Sequence, residues 1–103
     1  MFKLNVQRTY PCPVSVTIVG EDGKDVIGKF TAIFKVLPRQ KEVPVNLLDE
    51  VLIGLEGIEL SDGEGNVLEG TDALDAAKLD PAVSVALLTA YTESVLKKNP
   101  PTN

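Results

Sequence analysis

Three oxygen-bearing side chains stand at alternate positions in Asp62-Gly63-Glu64-Gly65-Asn66, the opening spacing of a calcium-binding loop. Such a loop asks for glycine where this chain has Val67 and for a bidentate glutamate where it has Ala73. The residues favour a polar turn instead, since Asp, Asn and Gly each suit turns for backbone reasons. Asp72, Asp75 and Asp80 could act as paired carboxylates in acid–base chemistry, but spacing alone does not identify such a pair. Cys12 would need a neighbour that lowers its pKa to act as a nucleophile; none stands beside it in sequence, and a small buried thiol is the plainer reading. Lys35, Arg39 and Lys41 form a local basic patch that reads as a solvated loop before it reads as an anion site. Gly20, Gly23 and Gly28 do not make a phosphate cradle, because no lysine followed by serine or threonine closes the pattern.

The chain has no histidine, which removes Ser-His-Asp and Cys-His activation of a nucleophile and the commonest neutral metal ligand. No catalytic residue, cofactor-binding residue or metal ligand is therefore assigned, and a non-enzymatic role is expected. A net charge of -5 opposes the phosphate attraction behind most nucleic-acid and anionic-membrane binding, so the expected partners are proteins. No apolar run approaches the roughly 20 residues of a membrane span, and the opening Met1-Phe2-Lys3-Leu4-Asn5-Val6 lacks the apolar core of a signal peptide. Together with a single cysteine, this leads to the expectation of a cytoplasmic protein. With 103 residues there is room for one core, expected over residues 1–99, with 100–103 as a loose tail and stability helped by self-association.

The elements that would position these residues follow from periodicity. Phe2, Leu4 and Val6 alternate with polar residues and predict a strand, which Pro11-Cys12-Pro13 should end in a bend. Val14 to Val19 is the next strand, and Gly20-Glu21-Asp22-Gly23-Lys24-Asp25 should reverse the chain into a third from Ile27 to Val36, with Phe30, Ala32, Phe34 and Val36 on one face. Pro38 and Pro44 mark a connection. Leu47, Leu48, Val51, Leu52 and Leu55 then recur at helical spacing over Val45 to Leu55, with an end near Ile53 to Gly57. Ile58 to Leu60 and Val67-Leu68 suggest a small hairpin. A short helix runs from Thr71-Asp72 through Leu74, Ala77 and Leu79. Asp80-Pro81 opens a longer helix with the stripe Val83, Leu87, Ala90, Tyr91 and Val95, ended by Asn99-Pro100-Pro101. The order predicts an α+β fold, in which an N-terminal antiparallel sheet of about three strands is followed by helices packed on one face. Leu52, Leu55, Ile58, Tyr91 and Val95 are the candidates for a partner-binding surface, although the same residues could be core.

Gly28-Lys29-Phe30-Thr31-Ala32-Ile33-Phe34-Lys35-Val36-Leu37 resembles the G-x-F-x-A-x-F-K-x-L strand of the small tail assembly chaperones of long-tailed bacteriophages and prophages. Val51 to Ile58 is similar to that family's V-x-G-W-E-G-V segment, with Leu55 in place of the tryptophan. Asp62 to Leu68 stands at its D-x-x-G-x-x-L turn, and Leu79-Asp80-Pro81-Ala82-Val83 with Ala86-Leu87 and Ala90-Tyr91 resembles its last helix. The resemblance implies binding to the tape measure protein and to tail-tube protein in the host cytoplasm during assembly, without enzymatic activity. A small structural or head-to-tail joining protein retained in the virion is the alternative. The resemblance also implies a minority product made by ribosomal slippage near Lys97-Lys98-Asn99, where the lysines otherwise complement a helix dipole.

Overall fold

Valine, isoleucine and threonine dominate the two strands from which the fold is built, β1 (Thr9–Val19) and β2 (Asp25–Lys35). They pair antiparallel in unbroken register from Thr9 opposite Lys35 to Val19 opposite Asp25. The computed structural model describes residues 1–6, 8–36 and 46–98, with side chains through Val95. Alternation sends Cys12, Val14 and Val16 from β1, and Phe30, Ala32 and Phe34 from β2, to one buried face. At the turn Gly20 N–H donates to Lys24 O (2.8 Å) and Gly23 N–H to Gly20 O (2.9 Å). Gly23 has φ +82°, a conformation glycine adopts without a Cβ clash, and Asp22 Oδ1 accepts from Lys24 N–H at 3.0 Å.

Pro11 and Pro13 do not end the strand as expected; they sit inside β1, opposite Ile33 and Thr31. The reason lies in the phase of the ladder. Val36 N–H donates to Arg8 O at one end and Gly20 N–H to Lys24 O at the other, so the even-numbered positions of β1 bond to β2 and the odd-numbered ones point away. The sheet order is β1-β2-β3, which leaves β1 at an edge. Both prolines fall at outward positions on that edge, where a missing N–H breaks no ladder bond.

The segment expected to be one helix is split. Helix α1 (Leu47–Val51) is little more than a turn, and Leu52–Glu56 is strand β3, paired antiparallel with β2. Leu52 N–H still closes the helix on Leu48 O, after which the backbone is extended. The helical spacing of leucines is overridden because the second edge of β2 is available, and pairing there satisfies its backbone groups. A register irregularity between Ile33 and Phe34 pairs Gly54 with Ile33 and Leu52 with Phe34, leaving Ile53 exposed between them. Gly54 is thus a strand residue where a Cβ would lie 3.2 Å from Ile33 Cγ1, while Gly57, at φ +78°, follows the end of β3.

Strands β4 (Leu60–Ser61) and β5 (Val67–Leu68) form the small hairpin, and α2 (Gly70–Leu79) and α3 (Pro81–Lys98) complete the order. The fold is α+β, with a three-stranded antiparallel N-terminal sheet and C-terminal helices packed against β1. Ala77 of α2 and Val83 and Leu87 of α3 close the core over Phe34, Val51 and Leu52. Leu79 falls outside it at 82% exposed. The N-terminal strand expected from Phe2, Leu4 and Val6 is not formed among the described residues; all three side chains are exposed, and the first half of β1, which follows them in sequence, carries the two prolines. The Pro38–Pro44 connection, Arg39 and Lys41, the helix end at Asn99-Pro100-Pro101 and the 100–103 tail lie outside the described residues. No described helix is long and apolar enough to cross a membrane.

Candidate functional site

Helix α3 begins where Asp80 Oδ1 accepts hydrogen bonds from the N–H groups of Ala82 (3.0 Å) and Val83 (3.1 Å), with proline at the first helical position. From that start, Val83 and Leu87 point into the core, and the helix runs beneath β1. Its far half is held by a short relay: the Ser94 hydroxyl donates to Tyr91 O (2.8 Å), so the Tyr10 hydroxyl must be the donor to Ser94 Oγ (2.7 Å). Tyr10, Phe34 and Tyr91 form an aromatic group, Phe34 meeting Tyr91 edge-on with centroids 5.3 Å apart. Burial pushes the Tyr91 phenol pKa above its usual value, and the neighbouring Tyr10 adds to that shift. Sequence periodicity placed Val95 on the inward stripe, but the inward residue of that turn is Ser94 and Val95 is 41% exposed.

Between the free edge of β1 and the outer flank of α3 lies an open groove of about 730 Å³. Pro13, Ser15 and Thr17 form its strand wall. Ala82, Ala86 and Ala90, each one helical turn further along α3, form its floor, with Val85 and Thr89 on the outer side. Glu93 is the charged side chain among the described residues that line it. The strand wall offers backbone groups and the floor is apolar, which is how an interaction surface for an extended segment is built. A smaller hollow of about 210 Å³ continues past Pro13 towards Tyr10 and Ser94. Cys12 lies beneath it, buried, with Sγ 3.7 Å from both Pro13 O and Ala90 O, so its environment is that of a packing residue.

The five candidate surface residues do not assemble into one exposed patch. Leu52 is 3% exposed and belongs to the core; Leu55, Ile58 and Tyr91 are partly buried against it, and Val95 is exposed. The Asp62 loop is a polar turn. Asp62 Oδ1 accepts from Glu64 N–H (2.9 Å) and Asn66 N–H (3.0 Å), and Oδ2 accepts from Asn66 Nδ2 (3.2 Å). These bonds, led by the one from Asn66 N–H, hold the fully exposed carboxyl below its usual pKa. Of the three carboxylates considered for acid–base work, Asp80 caps α3, and Asp72 and Asp75 are exposed on α2; none lines the grooves described. Among the described residues no group of three His, Cys, Asp or Glu side chains is arranged to hold a metal ion.

The groove was not legible in the sequence, because its walls come from residues 13–17 and 81–93 and meet only through the docking of α3 on β1. The one available signal was the Ala82, Ala86, Ala90 repeat, which marks a helix flank that another backbone can approach closely. No protein-family model, curated protein or solved structure matches this chain.

Proposed function

We propose that this chain is a tail assembly chaperone of a long-tailed bacteriophage or prophage, which binds the tape measure protein and assists assembly of the tail tube without enzymatic chemistry. The observation that carries the reading is the ordered set of four sequence stretches similar to that family, running from Gly28 to Tyr91. The described residues of these stretches fall in β2, in β3 with one residue on its N-terminal side and two beyond it, in the hairpin of β4 and β5, and in the start and core face of α3; the second stretch is a strand here and not a helix end. Consistent with a protein-binding role, the groove beside β1 offers an apolar floor and a strand edge that no described strand pairs, on a molecule of net charge -5. An unassembled tape measure chain exposes apolar helical stripes, and a small acidic domain that covers them keeps the complex dispersed. Contacts repeated along one long chain would be individually weak and collectively strong.

The test is co-expression with the products of the neighbouring genes. Binding to the tape measure protein in pull-down, and loss of tails when this gene is deleted, are the expected results; intact tails after deletion would overturn the proposal. Mass spectrometry of purified particles addresses the alternative, since a chaperone departs and a joining protein remains in stoichiometric amount.

A further inference from the structure

Phe2, Leu4 and Val6 and the outward edge of β1 each present what the other lacks. Phe2, Leu4 and Val6 are 86, 54 and 64% exposed and alternate with Lys3 and Asn5, the pattern of a strand with one face to bury. On β1 the odd positions turn their backbone groups outward, so Ser15, Thr17 and Val19 form a ladder edge five residues long, the same length as the segment, that no strand among the described residues pairs. The two cannot meet within one chain. Folding residues 2–6 back onto their own β1 would set them against positions 9 to 14, where Pro11 and Pro13 remove two of the three outward donors.

We propose that residues 2–6 of one copy add as a strand to the Ser15–Val19 edge of a second copy. The added strand lies along the Ser15 and Thr17 wall of the groove, so its inward side chains, among Phe2, Leu4 and Val6, cover the Ala82 and Ala86 part of the α3 floor. Charge favours the same pairing. The first twenty residues hold Lys3 and Arg8 and no carboxylate, while the acceptor belongs to a molecule of net charge -5. Donor and acceptor are different surfaces, so the contact runs head to tail unless two copies close on each other reciprocally. This inference stands independently of the tail-assembly reading.

Light scattering of the full chain over a roughly hundredfold concentration range up to ~1 mM tests it. The expected result is a mass that rises with concentration to a dimer or beyond. Leu4→Asp, in the donor alone, and Thr17→Pro, which removes one N–H from the acceptor, should each remain monomeric. An equimolar mixture of the two variants should regain association, because each supplies the surface that the other has lost. Should Thr17→Pro fail to fold, Leu4→Asp decides. A wild-type chain that is monomeric throughout, or association that survives either variant, overturns the proposal. So does a monomer whose edge is instead occupied by an extended peptide from another protein and released by Thr17→Pro.

Discussion

Asp80 sets the junction between two helices with one residue. Its N–H closes α2 on Ala76 O at 3.0 Å, while its carboxylate and its carbonyl both serve the first turn of α3. Replacing it with alanine is expected to cost about 1 kcal/mol, read from the midpoint of urea unfolding, whereas Asp80→Asn, which keeps the capping oxygen, should lose only a fraction of that. Tyr91 gives a second prediction at this scale. Its phenol is kept neutral in the fold by burial and by Tyr10, so its folded pKa lies above the unfolded value near 10. Stability from this group is undiminished below the unfolded value and is lost as pH rises through the higher folded one. The alkaline fall in the urea midpoint between pH 9 and 11 should therefore be shallower in Tyr91→Phe, about as a fall of one proton's linkage requires. Equal slopes in the two proteins would show that the Tyr91 proton is not linked to folding.

Among the elements, β1 shows how far local pattern reaches. Its Val14 to Val19 half, its hairpin partner, the turn at Gly23 and the start of α3 were legible, because each is fixed by neighbours in sequence: alternation, an Asp-Gly pair, an aspartate before proline. Pro11 and Pro13 misled because a proline's effect depends on which way its nitrogen points, and that phase is set by β2, about twenty residues away. The Leu52 to Glu56 strand was hidden for a similar reason, since leucines at helical spacing also suit a strand when a sheet edge is open beside them. Leu52 proved to be core, with Leu55, Ile58 and Tyr91 packed partly against it, because sequence gives apolarity and not its destination, and Ser94 was missed because a hydroxyl carries no apolar signal. The phase of the prolines makes a third prediction. Pro11→Thr with Pro13→Thr should leave β1 and its core face intact, because the inward ladder positions are unchanged. It restores two outward donors, so residues 2–6 should then pair within their own chain, and hydrogen exchange at the Lys3 amide, which faces the ladder when Phe2 and Leu4 face inward, should slow by about tenfold or more. Unchanged exchange there would mean that the prolines do not keep the segment off its own edge.

The molecule as a whole is closed by joining distant parts of the chain: Tyr10 meets Ser94 across 84 positions, and Cys12 approaches Ala90 across 78. A chain ending at Asp80 keeps the hairpin but loses the Val83 and Leu87 cover over Val14, Val16 and Phe34. Such a fragment is expected to bind an apolar dye and to be recovered largely in the pellet, while the full chain does neither; a fragment with native near-ultraviolet circular dichroism would contradict this. The same closure has a consequence in time. A ribosome releases β1 and β2 long before α3, and at ~5–20 residues per second the bare sheet face waits roughly 3–13 s for its helix. During that interval the nascent hairpin is itself a client for the cell's general holdases, and a pause in translation between β2 and α3 would lengthen its exposure. Ribosome-bound chains stalled at Asp80 should therefore co-purify with trigger-type holding factors, and chains stalled well past the last helix should release them.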